Sequence, residues 1–340
     1  MEHRRNLLLD IIRGISALLI MLYHYTWRFN EISLTEKYHF NMPLKLSWGC
    51  YAVITFFMLS GYLTMRNLEN KIPIKVFIKK RIIRLYPTFW ASLLVTTLFV
   101  ILTNLDTITF KDFLWNLTMV PSAFHAKPVD SAYWTQLFEL IFYGYIIALL
   151  WISKTKIQLN FLLLWLFLSV IVYYLQDSTI WGGQFRVLGM PKYNSVFIAG
   201  MMIRNIGKRQ CLVHSYLVLL LCFFNFFLWN NWLSIMFFSI SFIVIYASAF
   251  INIQIGIKKI VFNNWIVGGI TFFASISYPL YLIHQKIGYV IIVEIIENVH
   301  LSSEYIIIVP IITSIFIAWL INKYIEKRLS NYLLKHLNVE

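Results

Sequence analysis

Long apolar stretches separated by short polar segments make up most of this chain. They lie at 7–27, 48–65, 85–105, 134–153, 158–175, 190–203, 213–229, 233–251, 270–296 and 304–322. Nearly all are close to the roughly 20 residues that a helix needs to cross the hydrocarbon of a bilayer. The sixth is short and contains Pro191 and Gly200. The pattern predicts an all-α, polytopic transmembrane helical bundle of about ten spans.

The basic residues divide unevenly between the two sides that these spans define. The segments on the side of the N-terminus hold 20 lysines and arginines, and the opposite segments hold 7. Because basic residues favour the cytoplasmic side, both termini are predicted to be cytoplasmic. The densest group, in 66–84, is predicted to be a basic cytoplasmic loop. The net charge of +14 is therefore explained by topology and contact with the lipid bilayer, and no nucleic-acid partner is expected.

Composition excludes an ordinary soluble protein. Hydrophobic residues make up 59% of the chain and charged residues only 13%. No hydrophilic block is long enough for an added soluble domain, so we expect residues 1–340 to form a single integral-membrane domain. The three cysteines lack the spacing of a metal or disulfide motif, and no metal site is expected.

The first span carries two ionisable side chains on one face. Arg13 and His24 lie about three turns apart, roughly 16 Å along the helix axis. Ionisable groups are costly in hydrocarbon and therefore indicate a functional site. An imidazole at this depth is suited to general-base catalysis. The alternative is a histidine that only links helices by hydrogen bonds.

Arg81 and Arg84 end the basic segment, in the run KKRIIRLYP. One turn apart on a short helix that Pro87 is expected to disturb, they suit the binding of phosphate groups. The alternative for the whole segment is simply topology and contact with anionic lipid.

Glu139 is the acidic residue of the fourth span, in YWTQLFELIFY. A carboxylate in the membrane should face the bundle interior and find a partner. It is expected to orient or charge-match His24, or else to pair with Arg13 or Lys286. Trp134 and Tyr143 flank it, and Trp134 also fits an aromatic belt at the membrane surface.

Two further motifs hold polar side chains. In SYPLYLIHQ, Tyr281 and His284 are one turn apart, so their polar tips are expected to converge on a shared target. The alternative for each residue taken singly is a role in packing between helices. A kink at Pro279 would free backbone groups that need partners. In FFMLSGYL, Ser60 and Gly61 favour the close approach of two helices. The alternative is that Ser60 acts as a nucleophile.

Together these segments resemble the acyltransferase-three family of integral-membrane acyltransferases. The resemblance rests on five motifs in the family's order, spread over nearly the whole chain: LDIIRGISALLIMLYH, FFMLSGYL, RIIRLYP, WTQLFELIFY and ISYPLYLIH. Tyr62 departs from a common phenylalanine. The resemblance implies transfer of an acyl group, often acetyl, from cytoplasmic acyl-CoA to a sugar hydroxyl of a surface or exported glycan. It also implies the cytoplasmic membrane of a bacterium. Some relatives append an extracytoplasmic esterase-like domain, and none is expected in this chain.

The resemblance also implies roles for the residues singled out above. His24 would be the catalytic histidine, and Arg81 and Arg84 would bind the phosphates of coenzyme A. Beyond the resemblance, we expect Arg13 to contact the entering cofactor and Glu139 to stabilise the imidazolium of His24. We also expect the acceptor to contact residues gathered from several spans: Ser60, Trp134, Tyr143, Tyr281 and His284. Acyl-CoA, acetyl-CoA foremost, would be the donor substrate, and no permanently bound cofactor is expected.

Two other functions fit the same sequence. An exporter of glycans or lipid-linked sugars also needs many spans and charges within the membrane. A subunit that relays acyl groups to a partner transferase is the second alternative. The acceptor sugar, the acyl length, direct transfer or an acyl-enzyme, and the oligomeric state all stay open.

Overall fold

The computed structural model is helical throughout the part of the chain that it describes. The described residues are 6–32, 38, 40, 42–69, 72–103, 106–153, 159–174, 189–250, 264–299 and 304–336. Within these ranges no strand occurs. The predicted all-α class is therefore confirmed.

The helices follow the apolar stretches of the sequence. In chain order they are α1 (Leu7–Thr26), α2 (Ala52–Leu68), α3 (Ile74–Thr103), α4 (Phe110–Asn116), α5 (Trp134–Ser153), α6 (Leu159–Tyr174), α7 (Asn194–Gly207), α8 (Leu212–Trp229), α9 (Trp232–Phe250), α10 (Asn264–Val299), α11 (Ile308–Ile321) and α12 (Lys327–His336). Single 3₁₀ turns lie at Arg28–Glu31, Ser47–Tyr51, Pro121–Phe124, Ser131–Tyr133 and Glu304–Ile307, and a π-helical turn at Asn322–Glu326 joins α11 to α12.

A helix lies on each of the ten predicted spans; once adjoining 3₁₀ and π turns are counted, eight of them belong to long helical segments and two are short. Among the described residues, 8 helical segments are long and apolar enough to cross a membrane. The fifth and sixth predicted spans correspond to α6, with 16 residues, and α7, with 14. Both are shorter than the roughly 20 residues of a full crossing. The polytopic bundle is confirmed, and the number of full-length spans in the described chain is smaller than predicted.

The segment predicted as a basic loop at 66–84 is mostly helical. The helix α2 continues to Leu68 and α3 begins at Ile74; residues 70 and 71 lie outside the described residues. Pro73 precedes α3, and its carbonyl accepts a hydrogen bond from the Phe77 N–H at 3.0 Å. Proline is tolerated at a helix start because its missing N–H would be unpaired there anyway. The prediction failed because a dense run of charge does not by itself interrupt a helix.

The chain divides into two compact units, each built from segments far apart in sequence. Unit 1 comprises Met1–Ile12, Tyr51–Phe77 and Phe138–Gly269. Unit 2 comprises Arg13–Cys50, Ile78–Leu137 and Ile270–Glu340. The single domain over 1–340 stays a prediction, and each unit is described by itself below.

In unit 1, α2 and α7 cross at two glycines. A Cβ on Gly61 would lie 1.9 Å from the Phe197 carbonyl oxygen, and a Cβ on Gly200 would lie 1.9 Å from that of Met58. The Phe197 ring stacks on the Phe57 ring with centroids 4.7 Å apart. Small residues let helix backbones approach closely, which confirms the packing interpretation of the serine–glycine motif.

In unit 2, two prolines lie inside continuous helices. Pro87 is within α3 and Pro279 within α10, so the carbonyls four residues earlier lack their usual N–H donor. The Ile83 carbonyl accepts from the Ser330 hydroxyl at 3.2 Å. The Ser275 carbonyl accepts from the Asn322 side-chain amide at 2.7 Å. The expectation that Pro279 frees a backbone group that needs a partner is confirmed. The disturbance expected at Pro87 does not end the helix, because Ser330 replaces the lost bond.

Asn322→Leu is expected to lower the free energy of unfolding by about 1–3 kcal/mol, because the Ser275 carbonyl would be left unpaired in a buried site. Pro279→Ala restores a backbone N–H that can reach this carbonyl, so the same substitution should cost less in that background. Thermal unfolding of the four proteins in one detergent measures the difference. Equal losses in both backgrounds would contradict the proposed replacement of one donor by the other.

Candidate active site

Two histidines meet in unit 2. His24 lies in the last turn of α1 and is half-buried, whereas His284 lies within α10 and is 1% exposed. The His284 Nε2 is 3.0 Å from the His24 Nδ1, and the two ring centroids are 4.8 Å apart. The His24 Nδ1 also lies 2.9 Å from the Ile20 carbonyl oxygen. Within the described residues of unit 2, the His24 Nε2 has no hydrogen-bond partner.

A tyrosine on α1 fixes the backbone beside these histidines. The Tyr25 hydroxyl donates to the His284 carbonyl at 2.7 Å and lies 2.9 Å from the Ser314 hydroxyl. Gly288 makes this approach feasible, because a Cβ there would lie 2.2 Å from the Tyr25 ring. The pair of histidines is therefore held by tight packing between α1 and α10.

The segment 130–135 also contacts α10. The buried Asp130 carboxylate accepts from the backbone N–H groups of Ala132, at 2.8 Å, and Lys286, at 2.9 Å. Burial raises the pKa of Asp130 to about 6, although these hydrogen bonds oppose the rise. The Gln285 side-chain amide donates to the Ser131 hydroxyl at 2.6 Å. These contacts fix the part of α10 that directly follows His284.

An ion-pair cluster lies next to this segment. Asp106 pairs with both Lys127 and Lys286. Burial opposes ionisation of Asp106, but the hydrogen bonds from the two lysines outweigh it and lower the pKa of the carboxyl. Lys286, which the sequence offered as a partner for Glu139, thus has a carboxylate partner within unit 2.

Tyr281 and His284 have different hydrogen-bond partners, although their rings lie 5.6 Å apart. The Tyr281 hydroxyl donates to the Ala132 carbonyl at 3.2 Å and lies 2.9 Å from the Thr135 hydroxyl. His284 contacts His24 instead. The two polar tips thus have different partners within unit 2, and their convergence on one shared target stays a prediction. Trp134, at the start of α5, is 42% exposed.

The predicted phosphate-binding arginines lie in unit 2 with an acidic residue that the sequence analysis did not single out. Arg81 is 6% exposed, Arg84 is exposed and Arg13 is half-buried. Glu326, in the π-helical turn before α12, interacts electrostatically with Arg84 and Arg13. The Asn322 amide donates to the Glu326 carboxylate at 2.9 Å. Arg84 and Arg13 thus share an interaction with the Glu326 carboxylate.

A separate polar cluster lies in unit 1. The Ser60 hydroxyl donates to the Glu139 Oε1 at 2.7 Å, and the Tyr143 hydroxyl donates to the same oxygen at 2.5 Å. The structure therefore brings together three of the residues singled out from sequence. The interaction predicted between Glu139 and His24 stays a prediction.

Tyr62, at a position where a phenylalanine is common, forms a hydrogen bond in unit 1. Its hydroxyl accepts from the Arg204 guanidinium at 3.2 Å, and Arg204 also pairs with Glu69. A phenylalanine would keep the packing and lose this hydrogen bond. Tyr62 therefore contributes to an ion-pair network rather than to the predicted chemistry.

Sequence analysis missed Tyr289, whose ring centroid lies 6.4 Å from that of His24. Its side chain is 1% exposed, and its hydroxyl has no hydrogen-bond partner among the described residues. The available signal was a tyrosine in an apolar run shortly after His284. In the part of the chain that the structure describes, no group of three or more histidine, cysteine, aspartate or glutamate side chains could hold a metal ion.

The fold and the polar groups within it define a multi-pass membrane protein with a histidine-centred site. A family model described as an acyltransferase domain, that of acyltransferase family three, matches residues 6–323. The chain therefore belongs to this family of acyltransferases. No curated protein and no solved structure matched the chain.

Proposed function

We propose that this membrane acyltransferase moves an acyl group, acetyl foremost, from cytoplasmic acyl-CoA to a hydroxyl of a surface or exported glycan. The observation that supports it best is the His24 imidazole, whose Nδ1 is engaged and whose Nε2 has no partner within the described residues of unit 2. An imidazole held through one nitrogen can use the other as a general base.

The reaction requires one proton transfer and one exchange of bonds at the acyl carbon. The His24 Nε2 takes the proton of the acceptor hydroxyl as its oxygen attacks the thioester carbonyl. The resulting tetrahedral intermediate collapses, the carbon–sulfur bond breaks, and the ester forms. The imidazolium then returns its proton to the departing thiolate. Glu139 is proposed to assist as a second catalytic group by stabilising the imidazolium.

The donor is proposed to bind along α1. Arg13 and His24 are about 16 Å apart by helix rise, which is of the order of an extended pantetheine arm. Arg81, Arg84 and Arg13 would take the phosphates of coenzyme A, because guanidinium groups bind phosphate oxygens in pairs. The acceptor is proposed to contact the other side chains singled out from the sequence: Ser60, Trp134, Tyr143 and Tyr281.

Arg81→Ala together with Arg84→Ala is expected to raise the KM for acetyl-CoA by tenfold or more, since each lost charge-assisted hydrogen bond costs about 1.5–3 kcal/mol. The kcat should change little, because these groups lie far from the reacting atoms. Arg84→Ala alone removes an exposed side chain. Its effect on the KM therefore reports lost binding without any structural change caused by removing the buried Arg81. Lys79→Ala, exposed on the same helix, is the matched control. An unchanged KM in the double variant would remove the phosphate role.

Radiolabelled acetyl-CoA tests the whole proposal. The purified protein in nanodiscs is incubated with label and with surface polysaccharide from a strain that lacks the gene. Label in the glycan supports the proposal. Movement of glycan across the membrane without label would instead indicate an exporter. Label that reaches the glycan only when a second membrane protein is added would indicate an acyl relay.

The same strain, which lacks the gene, can also identify the acceptor. Its surface polysaccharide, compared with that of the parent strain, should lack one ester substituent. Restoring the wild-type gene should restore that ester. A polysaccharide with unchanged esters but reduced surface amount would favour export over acylation.

A further inference from the structure

The hydrogen bonds of His284 assign its tautomer. Its Nδ1 lies 2.8 Å from the Tyr281 carbonyl oxygen and 3.1 Å from that of Leu280. Carbonyl oxygens only accept, so this nitrogen must carry the hydrogen. A neutral imidazole has one N–H, and the Nε2 of His284 is therefore an acceptor.

The tautomer of His24 follows from that of His284. The His284 Nε2 is 3.0 Å from the His24 Nδ1, so the His24 Nδ1 must supply the hydrogen. The same N–H is shared with the Ile20 carbonyl at 2.9 Å, which can only accept as well. The Nε2 of neutral His24 consequently carries the lone pair. This is the protonation state that a general base requires.

His284 is well placed to enforce this state. Its side chain is 1% exposed, and its own carbonyl is fixed by the Tyr25 hydroxyl at 2.7 Å. Both ring nitrogens are used in bonds to the protein. A ring that is buried and satisfied on both sides has no nitrogen left with which to hold a sugar hydroxyl.

We propose that His284 is a positioning residue for His24, in place of the substrate contact expected from sequence. Together with the Ile20 carbonyl, it holds the imidazole of His24 in the Nδ1–H tautomer and so leaves the lone pair on Nε2. When the Nε2 accepts the proton of the acceptor hydroxyl, the Nδ1–H to His284 becomes a charge-assisted hydrogen bond, which stabilises the imidazolium. A third group that orients a catalytic histidine is a recurrent device in acyl transfer. This inference rests on the proposed role of His24 as the base.

Two variants of similar size test the role by activity. His284→Gln keeps a side-chain oxygen that can accept from His24, whereas His284→Leu has no acceptor, and both lose the bond to the Tyr281 carbonyl. Loss of the charge-assisted bond to the imidazolium should lower the kcat of His284→Leu, but by less than the roughly 10⁴-fold known for a wrong tautomer in a serine-protease triad, because the Ile20 carbonyl still accepts from Nδ1. His284→Gln should keep most of the wild-type kcat. The KM for acetyl-CoA should be unchanged in both.

A spectroscopic measurement tests the tautomer without turnover. Nuclear magnetic resonance of protein with isotope-labelled histidine, in nanodiscs, should show the His24 hydrogen on Nδ1 in the wild type and in His284→Gln. In His284→Leu the Ile20 carbonyl remains as the one acceptor for Nδ1, so part of the His24 population should move its hydrogen to Nε2. A hydrogen on the His24 Nε2 in the wild type would overturn the inference.

The outcomes separate this inference from the proposed function. If His24→Ala is inactive while His284→Leu has a wild-type kcat, the positioning role is wrong and the base assignment stands. If the spectra agree but His24→Ala keeps full activity, the proposed function fails. Equal losses of kcat in His284→Gln and His284→Leu, with equal losses of thermal stability, would show that His284 acts through packing alone.

Discussion

His24→Ala is expected to abolish acyl transfer and leave the protein folded. General-base catalysis contributes about 10²- to 10⁴-fold, so residual transfer should be at or near background. The half-buried side chain forms its bonds through Nδ1 only, to Ile20 and His284. Its removal should therefore change kcat far more than thermal stability. The measurement is label transfer from acetyl-CoA to glycan, with melting temperature recorded for the same preparation.

The matched control is His214→Ala, at an exposed position on α8 in unit 1. It should leave both transfer and melting temperature unchanged. Retained turnover in His24→Ala, with the control also active, would remove His24 from the chemistry. A collapse of the melting temperature in His24→Ala would mean that the histidine mainly links helices, which is the alternative raised by its position in the first span.

Gly61→Ala and Gly200→Ala are expected to be the most destabilising small substitutions in unit 1. In each case the added Cβ would lie 1.9 Å from a backbone carbonyl oxygen, of Phe197 and Met58 respectively. A backbone atom cannot turn aside as a side-chain tip can, so α2 and α7 would have to separate. Overpacking typically costs about 1–3 kcal/mol, and this contact belongs at or above the upper end. Melting temperature and yield of folded protein report the loss.

Gly144→Ala controls for the loss of a helical glycine. Gly144 lies within α5 in unit 1, and a Cβ there meets nothing within 4 Å. Alanine is the better helix former by roughly 0.5–1 kcal/mol, so this variant should be as stable as the wild type or more so. Comparable losses at all three glycines would indicate that helix flexibility, and not close approach, explains them.

Sequence reasoning located α1 and its functional face well because both depend on local periodicity. The predicted first span, 7–27, differs by one residue from the helix Leu7–Thr26. It did not find the partner of His24, since His284 lies 260 residues further along the chain and no spacing rule connects them. Proximity in sequence instead suggested that Tyr281 and His284 share a target, and within unit 2 they have different partners.

The prolines show the same limit for the fold. A proline inside a helical pattern indicates a break, because locally it removes a hydrogen bond. The break at Pro87 is avoided by Ser330, far along the chain, whose hydroxyl binds the Ile83 carbonyl. In the same way, charge alone predicted a loop at 66–84, although the residues from Ile74 onward continue into α3. Long-range partners decide such cases, and a single sequence does not reveal them.

The donors to the two freed carbonyls of α3 and α10, Ser330 and Asn322, both lie after α11 in the sequence. A ribosome makes α3 and α10 before it makes these donors, so each carbonyl lacks this partner when its own helix is synthesised. Unit 2 can therefore complete these two hydrogen bonds only after α11 and the residues up to Ser330 have been made.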